Sequence, residues 1–318
     1  MKRRLAAILA AASVGLVLSA GVAAADDTAD VLVTLGTASI TRADLAAFLA
    51  RTGADRGQGG GQQPAMAAAA LERLIDERLL RVAIADAGIT IAPEEVQAAV
   101  EQLRRQLQSG RGVSLEKALE QSGGDTAGLT RQIEFDLAVT RLIGPRIDEA
   151  ALAAAFARHR RELDGTRVRV SHVILRPDVG RGDDALATAF RRTADIRAAV
   201  LRQDLSFAEA AARHSAGPSR HRGGDLGFIG RHGDAIEPFA REAFALDVGG
   251  LSQPFATPFG VHLVTVTAVE PGTATLEAVR PQVAELAARE AVREIVAGLR
   301  KTTPITYSPE SRRLRGEQ

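Results

Sequence analysis

The sequence predicts an α+β fold: a mostly helical body from residues 26–165 and 271–318, with an α/β unit inserted at 166–270. Three observations lead there. Apolar residues recur at helical spacing between about 65 and 163, the period changes to a β-branched run at Val168, and helical spacing returns at 275–300. A single helix of that last length is rarely stable without packing partners, so it is expected to dock back on the N-terminal helices.

Taken in order, Val31-Leu32-Val33-Thr34-Leu35-Gly36 alternates and stops at a turn residue, which suits a short strand. Thr41 then stands as the N-cap of a helix running to about Arg51. Thr52 to Pro64, with Gly57, Gly59, Gly60 and Gly61, reads as a loop. Its spacing fits neither phosphate-binding fingerprint, and no Lys-Ser or Lys-Thr follows it. Leu71, Leu74, Ile75, Leu79, Val82 and Ile84 predict an amphipathic helix over 65–87, closed by Gly88. Pro93-Glu94-Glu95 opens the next helix, with a proline in the first turn and acids at its positive end. Helices near 114–122, 125–144 and 148–163 follow.

Val168 to Leu175 predicts a strand ended by Pro177, and 185–201 and 207–214 predict helices. After a glycine-rich turn, 238–246 is a third helix ended by Gly249-Gly250, and Val261 to Val266 is a last strand of the unit. Pro304 to Tyr307 closes the chain's pattern as a further strand.

Residues 1–25 carry Lys2-Arg3-Arg4, an uncharged apolar run from Leu5 to Val22 and Ala23-Ala24-Ala25. This is the layout of an export signal cleaved after Ala25, and an uncleaved anchor is the weighed alternative. Its removal leaves 37 basic against 39 acidic residues, close to neutral. Short basic runs such as Arg158-His159-Arg160-Arg161 are broken by acids and lack aromatics, so no nucleic-acid partner is expected. With no cysteine, disulfides and thiolate metal sites are excluded. No second long apolar run follows the leader, so no membrane insertion of the mature chain is expected.

Three pieces of 166–270 go together: Val170-Ser171-His172-Val173-Ile174-Leu175, Gly223-Gly224-Asp225-Leu226-Gly227-Phe228, and the stretch from Ala243 through Gly250-Leu251-Ser252-Gln253-Pro254 to Phe259-Gly260-Val261-His262. In this order and spacing they resemble the parvulin-type (rotamase, PpiC) peptidyl-prolyl cis-trans isomerases. The helical segment with Leu74 to Leu80 and Gly88-Ile89, followed by that unit and a C-terminal helix, is similar to the SurA-like chaperone isomerases of the periplasm.

The resemblance implies an exported isomerase and folding chaperone that acts on X-Pro bonds of unfolded or nascent polypeptides, with neither metal nor cofactor. It implies a proline pocket walled by Leu226 and Phe239, with Phe228 and Phe259 close by. His172 and His262 would face each other across the sheet in a hydrogen-bonded network, with a structural and tuning role or a direct catalytic one. Phe207 and Phe244 are expected in the core, and His214, His221 and His232 on the surface. Two positions depart from the family pattern. The Cys or Asp common in parvulins falls on Gly217, and the methionine of the pocket wall on Ala235, with Ile236 as its nearest substitute. The alternative function is a holdase that keeps the parvulin fold only for peptide binding.

Overall fold

A computed structural model describes residues 30–52, 63–178 and 184–317. The expected leader at 1–25, residues 53–62 of the glycine-rich stretch, and Arg181 and Asp183 lie outside the described residues. In chain order the elements are β1 (Val31–Leu35), β2 (Ala38–Thr41), α1 (Arg42–Thr52), α2 (Gln63–Asp86), α3 (Pro93–Arg111), α4 (Leu115–Ser122), α5 (Thr126–Ile143), α6 (Glu149–Arg158) and α7 (Arg160–Leu163). They continue as β3 (Arg167–Leu175), α8 (Asp184–Leu201), α9 (Phe207–His214), β4 (Asp225–Gly230), α10 (Glu237–Phe244), β5 (Phe255–Thr257), β6 (Gly260–Glu270), α11 (Arg280–Thr302), β7 (Ile305–Tyr307) and α12 (Pro309–Leu314). Together they make an α+β protein, and the chain divides into two compact units: Met1–Ala151 with Ala284–Gln318, and Leu152–Val283.

In the first unit a small antiparallel sheet, ordered β2-β1-β7, lies against helices. Leu32, Val33, Leu35 and Ile40 from the sheet form one buried core with Phe48 of α1 and Leu71, Ile75 and Leu79 of α2, and Leu299, Ile305 and Tyr307 pack against it. Arg300 of α11 donates to the Asp76 carboxylate of α2 at 2.7 Å, fixing the same pairing at its edge. The first helix starts directly after its Thr41 cap, as expected, but the sequence reading has no strand at Ala38–Thr41; four residues are too few to show an alternation. Thr41 keeps its capping role: its N–H donates to Asp44 and the Asp44 N–H donates back to the Thr41 hydroxyl.

The second unit is a four-stranded antiparallel sheet ordered β4-β3-β6-β5 with helices on both faces. Alternation along β3 sends Val168, Val170, His172 and Ile174 to one face and Arg169, Ser171, Val173 and Leu175 to the other. The first face packs Val168, Val170, Val264 and Val266 against Phe239 and Phe244 of α10, and the second packs Val173, Leu175 and Leu263 against α8 and α9. α9 starts at a reciprocal cap in which Ser206 and Glu209 satisfy each other's backbone N–H. Phe244 is buried in the core and Phe207 is half-buried against the second cluster, in line with the core role expected of them.

Two strands escape the sequence reading. β4 looks like a glycine-rich turn because Gly224 and Gly227 carry positive φ angles of 83° and 79°. At Gly224 a Cβ would sit 2.4 Å from the His172 carbonyl oxygen, so only glycine lets β4 approach β3 there. β5 has just three residues. The points where the chain enters and leaves the sheet are tied together: the Asp164 carboxylate accepts from the backbone and hydroxyl of Thr166, Gly272 N–H donates to that hydroxyl, and Ala274 N–H to the Asp164 carbonyl.

Candidate functional site

The antiparallel register pairs Ile174 with His262 and His172 with Val264, so the two histidines are diagonal neighbours on the face that carries Phe239. Their ring centroids are 5.7 Å apart. Pro238, in the first turn of α10, starts the helix that delivers Phe239 edge-on to both rings, at 5.8 Å from His172 and 5.5 Å from His262. On the other side Phe255 of β5 stacks on His262 at 5.5 Å and 18°. Thr257 Oγ1 lies 2.8 Å from His262 Nε2 and accepts the Phe259 N–H.

Both imidazoles are neutral at physiological pH. Burial pushes the His262 pKa down to about 4, with the neighbouring His172 adding to the shift, and burial alone lowers that of His172. The expected hydrogen-bonded network between them is not what holds the pair. Neither ring nitrogen of His172, nor Nδ1 of His262, has a hydrogen-bond partner among the described residues. The rings are positioned by aromatic packing and by Thr257 instead, because the face around them offers mostly carbon.

Gly217 is brought directly to this centre. A Cβ there would stand 3.0 Å from His172 Nε2 and 3.1 Å from Ile174 Cγ2, so a side chain at this position would meet His172. Its φ and ψ of −80° and 154° are open to any residue. The segment is pinned by the Ser215 hydroxyl, which accepts from Ile174 and Gly217 N–H, and by Ala216 N–H donating to the Ile174 carbonyl.

The other expected pocket residues divide. Ala235 is half-buried against the cluster containing Phe239. Leu226, Ile236 and Phe259 are exposed: Leu226 at the bulge where β4 gains a residue over β3, Ile236 as the N-cap of α10, and Phe259 in the turn between β5 and β6. Phe228 pairs with Arg169 and therefore falls on the opposite face from His172. Alternation along a strand excludes it from the constellation, in contrast to the expected pocket. Phe255 and Thr257 were missed, although their alternation across the Pro258-Phe259 turn from His262 was readable in Phe255 to His262. His214, His221 and His232 are on the surface.

The helical unit has a second concavity, of about 990 Å³, bordered by α3, α5 and α11 and lined by Leu103, Ile133, Ile143, Leu286 and Val292 among others. Asp136 lies in its wall, accepting a hydrogen bond from Gln132 at 2.8 Å, and burial raises its pKa to about 6.

Comparison with known proteins places both parts of the chain in known families. The PPIC-type PPIase domain family matches residues 172–268, and the SurA-like N-terminal domain family matches residues 2–143. A protein of Haemophilus influenzae named as a SurA peptidyl-prolyl cis-trans isomerase is 28% identical over 75% of this chain and 81% of its own length. The peptidyl-prolyl cis-trans isomerase Pin1 of Digitalis lanata is 34% identical over 33% of this chain and 99% of its own length. The chaperone SurA of Aromatoleum aromaticum is 37% identical over 42% of this chain, a stretch that spans 28% of that relative. The chain belongs to the parvulin (PPIC-type) peptidyl-prolyl isomerase family and combines that domain with a SurA-like N-terminal domain. No helix among the described residues is long and apolar enough to cross a membrane.

Proposed function

We propose that this chain is an exported peptidyl-prolyl cis-trans isomerase and folding chaperone that acts on X-Pro bonds of unfolded or nascent polypeptides. The observation that carries the reading is the buried, neutral His172–His262 pair with Phe239 edge-on to both rings. An X-Pro amide rotates slowly because rotation breaks resonance, at a cost of roughly 18–20 kcal/mol. The twisted amide has a smaller dipole than the planar one, so a site poor in charge and water favours it over the ground state. An acceleration of about 10⁵-fold corresponds to roughly 7 kcal/mol of such preference.

In this reading Phe239 and Ala235 form the floor on which the proline ring rests, while Leu226, Ile236 and Phe259 close over the bound segment. His172 and His262 provide neutral imidazoles beside the rotating amide, and Gly217 leaves room at His172 Nε2. The chemistry transfers no electrons and breaks no σ-bond, so these side chains suffice without metal or cofactor. The layout of residues 1–25 supports delivery to the periplasm or envelope. The cis-to-trans relaxation of a short Ala-Pro-Phe peptide, with and without the protein, tests the proposal. Acceleration supports it, and relaxation at the uncatalysed rate rejects catalysis.

A second reading is favoured by one specific feature, the 990 Å³ concavity in the helical unit. It is that of a holdase in which isomerisation is secondary. Phe239→Ala separates the two: a holdase suppresses aggregation of an unfolded envelope protein equally well with this substitution.

A further inference from the structure

Between β4 and α10 the chain runs through residues 231–236, a loop that carries Ala235 and Ile236 and leads into the helix that brings Phe239 to the histidine pair. Its apolar residues do little to hold it in shape. Ala235 contributes a methyl group to the Phe239 cluster. Ile236, at the N-cap position of α10, has no side-chain oxygen to accept from the free N–H groups of the first turn. The eight-residue helix therefore begins without a side-chain cap.

The loop is closed by charge instead. Arg231 donates through Nη1 and Nη2 to the two carboxylate oxygens of Glu237, at 2.6 and 2.7 Å, and through Nε to Glu162 of α7 at 3.2 Å. The other Glu162 oxygen lies 3.3 Å from His159 Nδ1, so this second carboxylate is itself held. Within the loop Asp234 accepts the Gly230 N–H at 2.7 Å, and Gly233 turns the chain at a φ of 89°. The Arg231 side chain is only 10% exposed, against 48% for Arg169 and 63% for Arg213 in ion pairs of the same unit, so solvent screens it far less. A planar guanidinium bonded to two carboxylates fixes direction as well as distance, which an ammonium group cannot do. Glu237 stands in the first turn of α10, where the positive end of the helix favours it, directly before Pro238 and Phe239.

We propose that Arg231 is a positioning residue for the site: by clasping Glu237 and Glu162 it holds Ala235, Ile236 and Phe239 in the arrangement that receives a proline ring. This rests on the isomerase reading and adds to it a residue that does not touch the substrate. Without the clasp the loop is free to rearrange, and a bound segment must order it again. That cost falls on binding more than on rotation of an amide already bound, so KM should rise about ten-fold, the scale of ordering two or three side chains, while kcat stays within about two-fold.

The test compares R231A, R231K and E237Q with the wild-type chain in the Ala-Pro-Phe assay, and by anisotropy of the same peptide carrying a fluorophore. The Glu237 side chain is 60% exposed and E237Q leaves Arg231 paired with Glu162, so this variant keeps the fold even where R231A does not. KM and Kd should rise together, most in R231A and less in E237Q, with R231K close to R231A because lysine keeps the charge but not the fork. A role confined to stability predicts a lower Tm with KM and Kd of the folded fraction unchanged. If the wild-type chain binds the peptide without accelerating its relaxation, the isomerase reading fails, and a Kd raised in R231A and E237Q still supports the clasp. Variant KM and Kd within two-fold of wild type, or a wild-type chain that binds no peptide, would overturn the inference.

Discussion

The sheet unit and the helical unit each bury ionisable side chains, and they do so in opposite ways. In the sheet, His172 and His262 are enclosed by the rings of Phe239 and Phe255 within 5.5–5.8 Å, and burial lowers the pKa of each. In the helices, Asp136 borders open volume and burial raises its pKa to about 6. Both groups are kept toward their neutral forms, but only the first is locked by packing. The histidine cluster is therefore preformed, while the helical unit retains space. The two also respond to pH with opposite slopes.

Phe239→Ala is the largest way to break the comparison. It removes the ring that contacts both histidines and opens a cavity in the core with Val264 and Val266, so a loss of about 3–5 kcal/mol is expected in urea unfolding of the sheet unit. The catalysed rate should fall with it, and the helical unit should be unaffected in hydrogen exchange.

Asp136→Asn comes next, with the opposite sign. A carboxyl whose folded pKa is raised stabilises the fold while protonated, below its unfolded value near 4, and loses that contribution as pH rises through about 6. Asn is neutral at every pH and keeps a partner for Gln132. It should stabilise the helical unit by about 2 kcal/mol at pH 7.5 and by almost nothing at pH 4. A histidine with a depressed folded pKa behaves the other way: its contribution is present above about 6.5 and is lost as pH falls toward 4. Hydrogen exchange at pH 4.5 and 7 should show the sheet unit weaker, and the helical unit stronger, at the lower pH. The same slope in both units would remove the contrast.

Thr257→Val is the smallest. It deletes the hydroxyl that meets His262 Nε2 and accepts the Phe259 N–H, at a cost of about 1 kcal/mol. A drop in isomerase rate larger than the drop in stability would show that Thr257 orients the imidazole.

Much of this was legible in the sequence because the sheet's core obeys period-two alternation and the helices carry caps and apolar stripes. Val168 to Leu175 announced its strand, and the pieces around His172, Asp225 and His262 announced the family. What was hidden has local causes. β2 and β5 are too short to alternate visibly, and β4 is disguised by glycines whose purpose, at Gly224, appears only when β3 lies beside it. Phe228 was placed near the pocket through the family resemblance, whereas strand geometry puts it on the far face. The absence of a hydrogen bond between the histidines could not be read from their spacing, since ring orientation depends on Phe239 and Phe255 from distant segments.

The central claim is that a neutral, ring-packed histidine pair beside Phe239 makes an isomerase centre. Cis-to-trans relaxation of an Ala-Pro-Phe peptide, followed from pH 6 to 8.5, tests it most directly. The account predicts an acceleration that stays level from pH 7.5 to 8.5, because burial lowers both imidazole pKa values and so favours the uncharged forms there, and that is lost in Phe239→Ala. Relaxation at the uncatalysed rate at every pH, or an acceleration that survives Phe239→Ala unchanged, would contradict it.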